Sequence, residues 1–221
     1  MSVKKVSFVH TSTLVVPLFT SLMEQRLQGV NFFHLVDDSL IRDVIKEGSV
    51  SPKIAWRVLQ HIILAVEGGA DYVIVTCSSV GEVAEWATKF VPVPVIRVDK
   101  PMAEYVVQTA SKIGVLATLP TTLSPTMNLI KRSAESVGRE VEVEFELCDA
   151  AFNYLKAERY LEHDELIRDG IRRLSRKCEV VVLAQASMAR VLESMSPGEV
   201  SVPVLSSPPL LVDYLKKVLN L

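Results

Sequence analysis

The residues of this chain best suited to moving a proton are Cys77 and His10, and both follow short apolar runs. Tyr72-Val73-Ile74-Val75 reads as a strand buried on both faces. That places Thr76-Cys77-Ser78-Ser79 at its carboxyl end. Ser79 with Glu82 three residues on fits a capping box, so a helix is expected to begin there. A thiol in such a turn faces unpaired helix N–H groups, which lower its pKa and let small anions dock beside it. The competing reading is an inert, buried cysteine. Val6 to Val9 reads as another buried strand and delivers His10-Thr11-Ser12-Thr13. An imidazole titrates near neutrality and suits proton transfer in either direction; the competing reading is a strand-end histidine bonded to a loop carbonyl.

The elements that must position these residues alternate along the chain. An apolar-periodic segment runs from Leu14 to Leu27, and a strand from Val30 to Val36 ends in Asp37-Asp38. Ser51-Pro52 opens a helix that should reach Glu67. After the Cys77 turn come a short strand over Pro92–Ile96 and a helix from Lys100-Pro101. Ile113 to Ala117 is a strand with Thr118-Leu119-Pro120-Thr121-Thr122 as its loop, and Ser124-Pro125 is expected to start the next helix. Val141 to Leu147 alternates as a strand with Glu142, Glu144 and Glu146 on a wet face. A helix over Glu162–Lys177, a buried strand over Val180–Ala184, a strand at Pro203–Leu205 and an amphipathic helix ending near Leu221 complete the order. Such alternation predicts an α/β protein with parallel sheets, whose ligand sites lie outside the carboxyl ends of the strands.

Composition excludes several classes. Charge is well mixed, with a formal net of -2 and no basic stripe, so no nucleic-acid partner is expected. The first ten residues run into a strand without an apolar signal region, and no apolar run is long enough to span a bilayer, so no membrane partner is expected. Cys77, Cys148 and Cys178 are odd in number and lack metal-type spacing, which points to reduced thiols, no metal and a cytoplasmic setting. No G-x-G-x-x-G follows the first strand and neither half holds a P-loop, which argues against a dinucleotide enzyme.

The second half repeats the first. Cys178–Glu193 lies over Ala70–Glu85 with a shift of 108 residues, matching Ser79 to Ser187 and Glu85 to Glu193. Lys5–Thr11 lies over Lys112–Thr118 with a shift of 107, and Val93–Ile96 over Val202–Leu205 with a shift of 109. The expected architecture is two pseudo-twofold-related lobes facing across a cleft. The first is residues 1–100 with the C-terminal helix 207–221, and the second is residues 101–206. Thr76-Cys77-Ser78-Ser79 would then oppose Ala184-Gln185-Ala186-Ser187, and His10-Thr11-Ser12 would oppose Thr118 to Thr122. Reactive groups on two sides of a substrate suit removal of a proton from one face of a carbon and its return to the other.

The motifs Val75-Thr76-Cys77-Ser78-Ser79, Ile113-Gly114-Val115-Leu116-Ala117-Thr118 and Thr121-Thr122 resemble those of the aspartate/glutamate/hydantoin racemase superfamily. The resemblance spans essentially the whole chain. It implies a duplicated two-lobed α/β enzyme without cofactor, acting at the α-carbon of a small carboxylate or amino-acid derivative, and a homodimer or higher homo-oligomer. The family carries one cysteine per lobe. Here Cys77 matches the first, but the second position holds Gln185, which cannot act as a base. Cys178 lies at the wrong end of its strand and Cys148 off the expected position. The expected catalytic groups are therefore Cys77 and, on the second face, His10. Thr11, Ser12, Ser78, Ser79, Thr118, Thr121, Thr122, Gln185, Ala186 and Ser187 are expected to bind substrate. A one-cysteine decarboxylase of the arylmalonate type, a maleate-type cis–trans isomerase and an inactive carboxylate-binding protein stay open. Asp37, Asp38 and Asp149 read as helix caps or binding carboxylates. Asp99 and Lys100 read as a helix start and His61 as structural, while His34 and His163 have no partner visible in the sequence.

Overall fold

The computed structural model describes residues 3–196 and 198–221. The chain divides into two compact units, residues 1–100 with 208–221 and residues 101–207. In the first, β1 (Lys5–His10), β2 (Asn31–Val36), β3 (Tyr72–Val75) and β4 (Val95–Arg97) form a parallel sheet in the order β2-β1-β3-β4. In the second, β5 (Lys112–Ala117), β6 (Glu142–Leu147), β7 (Val180–Leu183) and β8 (Val204–Ser206) form a parallel sheet in the order β6-β5-β7-β8.

The repeat extends to the register. Val6 pairs with Tyr72 in the first sheet and Ile113 with Val180 in the second, the same positions once the repeat shifts are applied. Beyond the strand ends, Thr76 N–H donates to Val9 C=O (3.1 Å) and Ala184 N–H to Leu116 C=O (2.9 Å). The central strands β1, β3, β5 and β7 are buried along nearly their whole length, as strands covered by helices on both faces are. The core of the first unit runs through Val9, Leu40, Ile54, Val58, Ile62, Val73 and Val75, and that of the second through Leu116, Ile167, Ile171, Val181 and Leu183.

The helices are α1 (Val16–Arg26), α2 (Ser39–Glu47), α3 (Pro52–Glu67), α4 (Gly81–Ala87), α5 (Lys100–Thr109), α6 (Pro120–Ser136), α7 (Asp149–Lys156), α8 (Tyr160–Ser175), α9 (Ala189–Glu193) and α10 (Ser207–Leu219). Helix α3 begins where Ser51-Pro52 requires: the Ser51 hydroxyl accepts from Ile54 N–H and Pro52 occupies the first turn. Helix α10 returns to the first unit, where Arg26 pairs with Asp213 at 2.5 Å and Tyr72 Oη donates to Val218 C=O.

Two local expectations need correction. Helix α6 starts at Pro120, and Pro125 lies inside it. Two prolines compete for the first-turn position, and the strand end at Ala117 lets the earlier one take it. The glutamates of β6 do not form a simple wet face. Phe145 is 56% exposed, whereas Glu146 is drawn in to pair with Arg173 on α8. β6 is an edge strand of its sheet, so its apolar side chains are covered from one direction fewer.

Candidate active site

The Cys77 turn continues β3 in extended backbone (φ -119°, ψ 115°), then tightens into a 3-10 turn over Ser78–Val80 before α4 begins at Gly81. The regular helix thus starts one residue later than the Ser79–Glu82 spacing suggests. Thr76, Ser78 and Ser79 are buried, whereas Cys77 between them stays partly exposed.

A buried guanidinium fixes this turn. Arg97, the last residue of β4, is 1% exposed. Its Nε and Nη2 donate to both carboxylate oxygens of Asp99 (2.7 and 3.0 Å), and Nη1 donates to Glu85 of α4 (2.9 Å). Burial of an arginine requires such complete pairing, and the bidentate geometry supplies it. The guanidinium lies flat against the start of α4, so that a Cβ on Gly81 would sit 2.5 Å from Arg97 Cζ. Arg97, Asp99, Glu85 and Gly81 were not singled out from the sequence as one group. Their signal was a charged residue ending a buried strand with a carboxylate two positions on.

His10 lies fully buried in an aromatic layer on one face of β1 and β2. Alternation puts Phe8 and His10 on that face, and Phe32 and His34 beside them. Phe19 of α1 closes over His10, with ring centroids 5.8 Å apart. His10 Nδ1 lies 2.7 Å from Thr76 Oγ1, and Nε2 lies 2.8 Å from His34 Nδ1. His34 Nε2 in turn lies 3.0 Å from Thr20 Oγ1. Both ring nitrogens of His10 are therefore engaged. Burial, with the neighbouring His34 adding to it, lowers its pKa to about 3, and burial also lowers that of His34.

Neutral imidazoles in a row allow two proton arrangements. Thr76 can donate to Val9 C=O and receive from His10, in which case Thr20 donates to His34. Alternatively Thr20 donates to Val16 C=O and receives from His34, and every bond along the row reverses. Each hydroxyl has one proton to give, so the row switches as a unit.

Thr11 is buried and Ser12 partly so, its hydroxyl accepting from Leu14 N–H (3.3 Å). Asp37 lies just past β2 and holds α3 to the loop. It accepts from Arg57 Nη2 (2.6 Å), His61 Nε2 (3.1 Å) and the Ser39 hydroxyl (2.6 Å). These partners keep its carboxyl well below the usual range despite partial burial. His61 is structural in this sense, and Asp37 is tied up rather than free to bind.

In the second unit, Gln185 occupies the position equivalent to Cys77. Its Oε1 accepts from Thr118 N–H and its Nε2 donates to Thr118 Oγ1, both at 2.6 Å. The amide thus folds back onto its own sheet. Thr118, Thr122 and Ala186 are buried and Ser187 is partly so. Thr121 Oγ1 is buried without a hydrogen-bond partner. Cys148 points toward α8, with Leu166 C=O at 3.8 Å, and burial together with Glu146 raises its thiol to about 11. Cys178 is buried at the amino end of β7, and burial raises its thiol as well. His163 is bonded to Asp164 (2.7 Å), which also accepts from Arg190 (2.8 Å).

The model of one family, described as Asp/Glu/Hydantoin racemase, matches residues 9–215. The chain belongs to the Asp/Glu/hydantoin racemase family. Solved structures share the fold of this family member at low identity. A putative Asp/Glu racemase from Yersinia pestis is 16% identical with TM-score 0.76, covering 99% of this chain and 100% of that one. The aspartate racemase of Picrophilus torridus is 14% identical with TM-score 0.75, covering 98% and 94%. The allantoin racemase of Klebsiella pneumoniae is 16% identical with TM-score 0.69, covering 99% and 88%. Among curated proteins none matches the chain by sequence. This member of the racemase family carries cysteine at the end of β3 and glutamine at the equivalent end of β7.

Proposed function

We propose that the chain is a cofactor-independent isomerase, a racemase or epimerase, that moves the α-proton of a small carboxylate or amino-acid derivative with Cys77 as its acid–base thiol. The contrast among the cysteines carries this proposal. Cys77 sits partly exposed at the carboxyl end of a central strand, where ligands of parallel sheets bind, whereas Cys148 follows an edge strand and points toward α8, and Cys178 is buried at the amino end of β7. Family membership supports the reaction class. In this proposal the hydroxyls of Ser78 and Ser79, with Thr11 and Ser12, bind the carboxylate on the first unit. Thr118, Thr121, Thr122, Gln185, Ala186 and Ser187 are the corresponding binding positions of the second.

His10 acts differently from a free imidazole. With both nitrogens engaged and a pKa of about 3, it is neutral at physiological pH and exchanges protons only along the Thr76–His10–His34–Thr20 row. It is thus proposed as a neutral relay behind the Cys77 turn.

The Gln185 amide favours a second reading. A single thiol suffices to protonate a carbanion from one face, so a decarboxylase of substituted malonates fits a chain with no acid or base at the Gln185 position. The deciding experiment is proton NMR in D2O against amino acids, hydantoins and substituted malonates. Deuterium wash-in with loss of optical purity is expected for the isomerase. Carbon dioxide release with one product enantiomer would establish the decarboxylase instead. Cys77→Ala should lower either rate by about 10²–10⁴-fold. Full turnover in that variant would overturn the assignment of Cys77.

A further inference from the structure

Helices α3 and α8 are counterparts under the repeat. The buried residues Ile54, Val58, Ile62 and Ala65 of α3 correspond to His163, Ile167, Ile171 and Leu174 of α8, each 109 residues further on. Three of the four pairs stay apolar. The exception is His163, fully buried where the first unit has Ile54.

His163 stands just past the carboxyl end of the second sheet. A Cβ on Gly114 would meet Leu174 at 3.2 Å and one on Gly170 would meet Leu116 at 2.6 Å, so α8 runs antiparallel to β5. From Gly170 to His163 the helix advances about 10 Å more. β5 ends one residue after Leu116, which leaves His163 level with the loop that starts at Thr118. Alternation along β7 puts Val181 and Leu183 into one core with Ile167 and Ile171, and the extended backbone of Gln185 continues on that side. In the first unit Val73 and Val75 do the same with Val58 and Ile62, and Cys77 packs against that core. The titratable group and the inert one have thus changed places. The first unit has a thiol on the strand and isoleucine on the helix; the second has an amide on the strand and imidazole on the helix.

The hydrogen bonds of His163 leave one nitrogen open. Nδ1 donates to Asp164 Oδ1 (2.7 Å), and Arg190 Nη2 donates to Asp164 Oδ2 (2.8 Å). Arg190 belongs to α9, directly after the Gln185 turn, and its guanidinium lies 4.5 Å from the centroid of the Tyr160 ring. The carboxylate thereby fixes the tautomer that carries a bare lone pair on Nε2. Nε2 is buried without a hydrogen-bond partner among the described residues. Thr121 Oγ1, in the first turn of α6 at the same end of the sheet, is likewise buried and unpartnered. Two unmet polar atoms at the ligand end of one sheet point to a bound polar group rather than to packing.

We propose that His163, oriented by Asp164, is the second acid–base group of the reaction. The proposal rests on the isomerase reading above. Nε2 takes the α-proton of one enantiomer as the C–H bond breaks, and Asp164 balances the imidazolium that forms. The Cys77 thiol gives its proton to the same carbon and is left as thiolate. The other enantiomer reacts in reverse, with the Cys77 thiolate taking a proton and the imidazolium returning one. Such contacts tighten only once substrate is bound.

His163→Ile tests the proposal, because it places in α8 the residue that α3 already carries. The variant should fold, with a melting temperature no lower than the parent's. Its racemisation of the compound that the parent turns over should fall by about 10²–10⁴-fold. In D2O it should still exchange the α-proton of the enantiomer that Cys77 serves, with retention, and lose exchange of the other. Cys77→Ala should show the opposite preference. Asp164→Asn, which loses control of the tautomer, should slow the same enantiomer as His163→Ile. Nitrogen-15 spectra of the parent at mildly alkaline pH should show His163 protonated at Nδ1. Parental racemisation in His163→Ile, or equal loss of exchange from both enantiomers in the folded variant, would overturn the proposal and leave the isomerase reading standing. So would a His163 protonated at Nε2. A parent that exchanges no α-proton on any amino acid, hydantoin or substituted malonate would overturn the isomerase reading and this proposal with it.

Discussion

The burial of His10 has a consequence for stability as well as for chemistry. In the unfolded chain a histidine takes up its proton near pH 6.5, whereas folded His10 holds it off until about pH 3. Between those values the unfolded state binds more protons, so stability is full above pH 6.5 and falls as pH falls toward 3. Between pH 6.5 and 4 the loss should approach about 3 kcal/mol. Asp37, held below its ordinary range, adds a loss of the same sign at lower pH. Urea unfolding of the parent should therefore show midpoints that decline steadily from pH 7 to 4. The decline should flatten in His10→Gln, which keeps hydrogen-bonding capacity without the titration. An unchanged slope would assign the linkage to another group. Cys77 and His10 were both legible in the sequence as strand-end residues. What was not legible was that His10 spends both nitrogens inside the fold, because that depends on the parallel register of β1 with β2. The twin spacing Phe8-Val9-His10 and Phe32-Phe33-His34 was the available signal. Gln185 illustrates the same limit. Its turn position suggested a donor for substrate, and only the strand pairing of β5 with β7 reveals Thr118 within reach of its amide.

At the scale of elements, the start of α4 is set by packing more than by capping. Gly81 is needed there for closeness, since its φ of -60° suits any residue. The Arg97 guanidinium occupies the space a side chain would need and is itself locked by Asp99 and Glu85. Gly81→Ala must push apart α4 and a buried ion cluster, and should cost about 3 kcal/mol. Arg97→Lys, which loses the bidentate pairing, should cost a similar amount. Thermal melts measure both. Iodoacetamide labelling of Cys77 should also slow or quicken in Gly81→Ala, because the turn and α4 move together. Parental melting and parental Cys77 labelling in Arg97→Lys would show that the turn stands without the guanidinium. The helices opened by proline show how far local signals reach. Ser51-Pro52 predicted α3 with its correct start and end. Ser124-Pro125 misled because Pro120 offered an equally good first turn nearer to the strand.

At the scale of the molecule, the duplication was visible in the sequence because it preserves strand registers as well as apolar pattern. The shifts of 107, 108 and 109 residues read from the sequence are those that carry β1, β3 and β4 onto β5, β7 and β8. The pairing β1·β2 maps onto β5·β6 in the same way, although β2 and β6 share too little sequence to be matched by eye. The boundaries of the two units do not coincide with the midpoint of the chain. Helix α5, which follows the last strand of the first sheet, belongs to the second unit, and α10, which follows the last strand of the second sheet, belongs to the first. A fragment of residues 1–100 would lack α10, with its buried Leu211, Val212 and Leu215. It should be unfolded by circular dichroism, and adding the complementary fragment 101–221 should restore structure. Folding of 1–100 alone would show that α10 is dispensable. The exchange also speaks to ancestry. A half-length forebear with this layout would have lent its last helix to a twin and borrowed one back. Joining two such genes end to end would place both exchanged helices on a single chain.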